Sequence, residues 1–206
     1  MSRNTLTATV SAQTRKHGLL IRIAHIGLAI AVMNQLLTSL VLSAPAPDAA
    51  GNFYFEVHEY GGLIAFSFIT LFWFGVIFRK RHAPSGLMFP WLSAVRLSAL
   101  WSDTKLHFAA IRRMRLPPYD DHAPLASAIH GLGLLLVTAM AASGTIYYFI
   151  NSSNPDAGGL VGVVMFIHLN LASLVWAYLI GHAGLALIHH FSNNLRLSEM
   201  WSLRRD

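Results

Sequence analysis

The chain carries eleven histidines and no cysteine in 206 residues. Seven of the histidines, His25, His58, His130, His168, His182, His189 and His190, fall inside or at the ends of long apolar stretches. An imidazole costs free energy in an apolar setting, and there it is a functional candidate by default. Neutral imidazole ligates iron, zinc and copper well. Without cysteine, this chain has no disulfides, thiolate zinc sites, iron–sulfur clusters or covalent haem attachment through C-x-x-C-H. Any cofactor must be held by His, Met, carboxylates or packing. His168 and His182 are fourteen residues apart. On one helix that is close to four turns, so both side chains share a face and stand about 21 Å apart along the axis. One helix then offers a ligand at each of two depths.

The elements that position these groups follow from composition. Apolar residues make up 54% and charged residues 12%, with a mean hydropathy of +0.50. A water-soluble domain carries about 25% charge, and half of that does not cover a globular surface. The reading is an all-α integral membrane protein. Four apolar stretches, at about 19–43, 56–78, 123–150 and 157–191, each reach the roughly 20 residues needed to span a bilayer, and in lipid they must be helices. The first is too long for a signal-peptide core despite the Ala44-Pro45-Ala46 that follows it, and is read as retained. The expected layout is a tail over 1–18, a four-helix domain over 19–191 and a second tail over 192–206.

All 15 Lys and Arg residues lie in three segments. Arg3, Arg15, Lys16 and Arg22 precede or open the first helix. Arg79, Lys80, Arg81, Arg96, Lys105, Arg112, Arg113 and Arg115 fill the loop between the second and third, and Arg196, Arg204 and Arg205 close the chain. By the positive-inside rule, both termini and the long loop are cytoplasmic, with Asp48, Glu56, Glu59 and Asp156 outside. The net charge of +6 is thereby assigned to anionic lipid, with no nucleic-acid partner. The loop segment rich in Leu, Trp and Phe from Leu87 to Trp101, followed by Arg112, Arg113 and Arg115, reads as an interfacial amphipathic helix. It serves membrane adhesion or roofs a quinone entrance. A weak repeat relates Arg96-Leu-Ser-Ala-Leu-Trp-Ser102 to Arg196-Leu-Ser-Glu-Met-Trp-Ser202, and suggests two related helical hairpins.

Depth then sorts the histidines. His58 opens the second helix at the outer side, level with His168. His25 lies near the cytoplasmic end of the first helix, level with His182. Two imidazoles from different helices at each of two levels are what two stacked b-type haems need, and helix-bundle cores are where such sites are built. Gly27, Gly61, Gly62, Gly181 and Gly184 are expected to make room. His130 also falls at the inner level. A strict two-fold would pair His25 with His130, whereas the shared face on the fourth helix argues for His182, leaving His130 a supporting or quinone-side residue. Arg22, one turn before His25, suits either a haem propionate or a positive-inside anchor. His189 and His190 suit propionate, lipid phosphate or quinone, and plain solvation equally. His17, His82, His107 and His122 are read as solvated. No catalytic residue is assigned.

These residues resemble the bacterial cytochrome b561 and nickel–iron hydrogenase cytochrome b superfamily, with formate dehydrogenase gamma subunits as apparent relatives. The likeness runs from about Lys16 to Phe191. Its most specific part is His168 through Gly181-His182-Ala-Gly-Leu-Ala-Leu-Ile-His189-His190-Phe191, joined by His130-Gly-Leu-Gly-Leu and Ser143-Gly144. The resemblance implies four helices and two non-covalent protohaems. It places the ligands on the first, second and fourth helices, at His25, His58, His168 and His182. It implies electron transfer in the bacterial inner membrane between a periplasmic partner and the quinone pool. Some members oxidise superoxide, which leaves an enzymatic activity open. The long loop after Arg81 departs from the simplest members. Two other readings stand beside this one: a membrane anchor subunit, with or without haem, for a larger oxidoreductase complex, and a metal-ion transporter. The spans lack the mid-depth carboxylates a transporter would be expected to show.

Overall fold

A backbone surrounded by hydrocarbon has to satisfy its own N–H and C=O groups, and each long apolar stretch does so as a helix. The computed structural model describes residues 18–46, 48–78, 89–115, 117, 123–150, 158–192 and 197–203. In chain order they form α1 (Leu19–Ser39), α2 (Phe53–Ile77), a 3₁₀ turn (Pro90–Leu92), α3 (Ala94–Arg112), α4 (Pro124–Ile150), α5 (Gly159–Phe191) and α6 (Ser198–Trp201). Four of them, α1, α2, α4 and α5, are long and apolar enough to cross a membrane. Among the described residues there is no strand beyond an isolated Ala46–Ala49 bridge. The protein is an all-α, multi-pass membrane protein. His17, His82, His122, Asp156 and Arg196 lie outside the described residues, as do the basic groups at 3, 15, 16, 79–81, 204 and 205.

The first hairpin shows how local chemistry sets the ends of the spans. The stretch expected to run to Ser43 leaves the helix after Ser39. There Asn52 draws the chain back. Its side-chain oxygen accepts from Ser43 N at 3.1 Å and from Phe55 N at 3.0 Å, and its amide nitrogen donates to Val41 O at 3.0 Å. The backbone N–H of Asn52 adds a bond to Ser43 O at 3.1 Å. Asn52 is thus the N-cap of α2 and the clasp of the α1–α2 loop at once. At the opposite end of the bundle, the Asp103 carboxylate on α3 accepts from Leu125 N at 2.9 Å. That bond satisfies one of the orphan N–H groups at the start of α4 and pins α3 to the bundle.

The spans pack in the order α1 on α2, α2 on α4 and α4 on α5. No packed interface of comparable extent joins α5 to α1 or α2. The buried core lies between α2 and α4, where Ile69, Leu134, Val137 and Ala141 meet Phe66, Phe72 and Trp73. Trp73 Nε1 donates to Thr138 Oγ1 at 2.9 Å, and Thr138 passes its own proton to Leu134 O at 2.6 Å. Large apolar side chains elsewhere point outward, including Phe74 on α2, Phe149 on α4 and Phe166 and Leu169 on α5. At 33 residues, α5 is about 50 Å long, well beyond the roughly 30 Å hydrocarbon core, so its last turn, with His189 and His190, stands clear of the membrane centre.

Replacing Asn52 with alanine removes three side-chain bonds together, the α2 cap and two loop clasps. It should destabilise the fold by about 1–2 kcal/mol, seen as a lower midpoint in a circular-dichroism melt of the detergent-solubilised protein. Asn52→Asp, which keeps the accepting oxygen, should recover most of that loss.

Candidate functional site

The loosely packed side of the bundle, between α5 and the α1–α2 pair, is where the histidines meet. Toward one end, His58 on α2 faces His168 on α5. Their ring centroids are 6.2 Å apart and their planes 82° from parallel. Toward the other end, His25 on α1 faces His182 on α5, with centroids 6.4 Å apart at 57°. A metal–imidazole bond of about 2 Å, plus roughly 1 Å from nitrogen to ring centre, puts two axial imidazoles on one iron about 6 Å apart. Both pairs have that spacing.

Hydrogen bonds bias which nitrogen of the first pair is available. His58 Nδ1 lies 2.9 Å from Thr38 Oγ1 on α1, and His168 Nδ1 lies 2.9 Å from Ser143 Oγ on α4. Each hydroxyl has its own proton engaged within its helix. Thr38 donates to Asn34 O at 2.7 Å and Gln35 O at 3.1 Å, and Ser143 donates to Met140 O at 2.9 Å. With those protons in the helix back-bonds the oxygens act as acceptors, an arrangement that favours the tautomer with the proton on Nδ1 and the lone pair on Nε2. This is the outer hydrogen bond that ligating histidines use to fix tautomer and ring angle. All four spans contribute to this level: Thr38, His58, Ser143 and His168. Gly144 lets the ring stand close to α4, since a Cβ there would come within 3.2 Å of His168 Cε1.

The second level is built from rings and one buried charge. Tyr178, one turn before His182 on α5, stacks on it at 5.4 Å and 11°. It is seated in a notch left by Gly133, where a Cβ would collide with the phenol. His130 on α4 meets the edge of His182 at 5.3 Å and 81°, closer than two rings sharing an iron, and its side chain is exposed. Trp201 of α6 stands edge-on to His25 at 6.0 Å and 85°. Arg22 is only 4% exposed. Its Nη1 donates to the Ser202 carbonyl, while its Nε is buried without a hydrogen-bond partner among the described residues. A guanidinium so placed calls for an anion.

Thr38 and Tyr178 were not singled out from the sequence, while Ser143 entered there only through the Ser143-Gly144 likeness and Trp201 only through the repeated motif. Tyr178 has a signal in its i−4 spacing from His182, and Trp201 has one in the repeated Arg-Leu-Ser motif. The expectation for the glycines needs correction. The space beside Gly27 is taken by Phe68, and a Cβ on Gly61 would come within 2.5 Å of the Asn34 and Gln35 side chains; these two bring α1 and α2 together. Only Gly181 and Gly184 face open space. His107, expected to be solvated, is half-buried on α3, with Nδ1 3.0 Å from the Asp103 carbonyl oxygen and 3.1 Å from Asp103 Oδ1. Gln35 Nε2 and Glu59 Oε1 are buried without a partner among the described residues.

The family model described as prokaryotic cytochrome b561 matches residues 16–203. The chain belongs to the prokaryotic cytochrome b561 family. No curated protein and no solved structure gives a significant match. As a cytochrome b561 family member, it is a membrane haem b electron-transfer protein of the bacterial membrane. The donor set agrees with that cofactor: imidazoles at iron-bridging distance, a tautomer poised for Nε2 ligation and a buried guanidinium beside one pair. Loss of a second hydrogen bond to a ligating histidine typically weakens a metal site 10–100-fold. Thr38→Val and Ser143→Ala should each keep the fold but release haem to apomyoglobin about tenfold faster than the parent protein.

Proposed function

We propose that this cytochrome b561 family protein binds two b-type haems and carries electrons across the membrane between a periplasmic donor or acceptor and the quinone pool. His58 and His168 would hold the outer haem, and His25 and His182 the inner one. One observation carries the reading: a single helix, α5, places His168 and His182 fourteen residues apart, and each faces a histidine from a different helix at 6.2 and 6.4 Å. Bound haem iron supplies one-electron redox chemistry, which the side chains themselves lack.

The chain's residues set the conditions for that chemistry. Thr38 and Ser143 orient the outer rings. Tyr178 and Trp201 limit how the inner rings turn. Arg22 offers an inner propionate a buried countercharge, and its place one turn before His25 on α1 puts it at the right level. His130, edge-on to His182, is a supporting or quinone-side residue in this reading. A lone pair of histidines would be explained as well by an interhelical hydrogen bond. Two pairs on one shared helix face, one of them with hydroxyl partners at Nδ1, are not. A transporter built on the same histidines would gather several donors round one ion. Among the described residues no group of three or more His, Cys, Asp or Glu side chains does so.

The basic groups define the side. Arg22, the α3 arginines and α6 share one end of the bundle, and by the positive-inside rule that end is cytoplasmic, with both termini. His58 and His168 then face the periplasm.

Purified protein should contain two haems per chain, and His58→Ala or His168→Ala should lower the count to one while sparing the inner haem. Two haems retained in His168→Ala would overturn the pairing. His130→Ala should keep both. Quinol added to the parent protein should reduce the haems, and failure of any quinol to do so would sink the quinone-linked reading. A single cysteine placed at Ser2 should react with an impermeant maleimide only after the inner face of the membrane is opened.

A further inference from the structure

The side of α3 that meets the bundle is half-buried and polar, with Arg96, Asp103 and His107 on it. Beside that face opens a cleft of about 710 Å³ between α3 and the segment leading into α4. This is within the usual size range of small-molecule sites. One wall is made of small residues, Ala99 and Ala109, with Leu106 between them. The other wall includes Pro117, and Arg113 and Arg115 both line the space. Asp103 also lines it, but its carboxylate is already occupied within the protein: Oδ2 accepts from Leu125 N, and Oδ1 lies 3.1 Å from His107 Nδ1, which also meets the Asp103 carbonyl at 3.0 Å. Among the described residues the two guanidiniums are therefore the charges left to meet a ligand.

The backbone is arranged to bring both of them there. Met114, between the two arginines, has a φ of 54°, a left-handed conformation that a residue with a side chain rarely adopts. Met114 N and Arg115 N bond back to Ile111 O at 2.9 Å and Ala110 O at 3.0 Å. The reversal turns Met114 outward, 94% exposed, and leaves its neighbours on the cleft. The cleft's apolar lining is completed by Leu106, 67% exposed at its mouth, together with Ala110, Pro117 and Ala123. Paired guanidiniums match phosphate oxygens, and the apolar lining suits a ligand with a hydrocarbon part. A neutral quinone ring would leave both charges unmet, and a free phosphate would leave the apolar lining unmet.

We propose that this cleft binds the phosphodiester headgroup of an anionic phospholipid, with Arg113 and Arg115 on the phosphate oxygens and the acyl chains passing Leu106 and Met114. The proposal rests on the reading of α3 as lying at the membrane surface, at the basic end of the bundle. It does not depend on the number of haems or on quinone, so the two readings fail separately.

Native mass spectrometry of the purified holoprotein tests it, with phosphatidylglycerol or phosphatidylcholine added to the detergent. Phosphatidylglycerol should be retained in preference. The double variant Arg113→Gln/Arg115→Gln should lower the retained fraction about tenfold, equivalent to about 1.4 kcal/mol. Leu106→Trp, which fills the groove and leaves the charges, should lower it as well. Arg112→Gln, outside the cleft, should have no effect, and haem content measured on the same samples should stay constant across the set. Equal retention of phosphatidylcholine, an unchanged double variant, or an equal loss in Arg112→Gln would overturn the proposal. So would displacement of the lipid by millimolar inorganic phosphate, which would assign the site to the free anion.

Discussion

The arrangement turns on one kind of hydrogen bond: an imidazole N–H given to a hydroxyl whose own proton is already engaged in its helix. Thr38 and Ser143 each send their proton to a carbonyl three or four residues back. That back-bond is available to any Ser or Thr in a helix and usually has no consequence beyond a slight bend. Here it favours each oxygen as an acceptor, and with it the tautomer of the facing histidine that carries its proton on Nδ1. In a medium with no water to take up a stray N–H, the alternative tautomer would leave a buried polar group unpaired, at roughly 1–3 kcal/mol. The ring orientation at the outer level is thus set by groups on α1 and α4, neither of which supplies a histidine there.

This explains which parts of the protein were legible in the residues alone. The spans follow from apolar length, and the two depths follow from the spacing of His168 and His182, because both depend on regular helix geometry. Thr38 and Ser143 lie 20 and 25 positions from their histidines. Such partners are set by the register between packed helices, which a single sequence does not encode in any simple spacing. The glycines were misread for a related reason. A small residue near a histidine can make room for a cofactor or let two helices approach. The choice depends on whether Phe68 or the Asn34 and Gln35 side chains occupy the notch, as they do beside Gly27 and Gly61.

The two levels differ in construction. The outer pair is held by neutral hydroxyls, one from each flanking helix. The inner pair is surrounded by aromatic rings and by Arg22, a charge that is 96% removed from solvent. A fixed positive charge in a medium of low dielectric acts over a long distance. It stabilises an added electron or a bound carboxylate far more than a solvated lysine would. If both levels hold haem as proposed, they will not have equal potentials, and the asymmetry lies in Arg22 rather than in the ligands, which are imidazoles throughout.

The repeated Arg-Leu-Ser motif shows how one sequence pattern came to serve two structural ends. Each copy follows a helix that returns to the basic end of the bundle, and each forms helix there. In the second copy, Trp201 rests against His25 and Ser202 accepts from Arg22, so the chain end closes over the inner level. In the first copy, Trp101 is 64% exposed, with Lys105 Nζ over its ring at 5.9 Å, and Asp103 does the docking instead. The difference follows from what lies next in the chain. α3 continues for three more turns past its motif and must anchor the start of α4. That turns its polar side toward the bundle and its tryptophan away. In α6, by contrast, the tryptophan packs inward against His25.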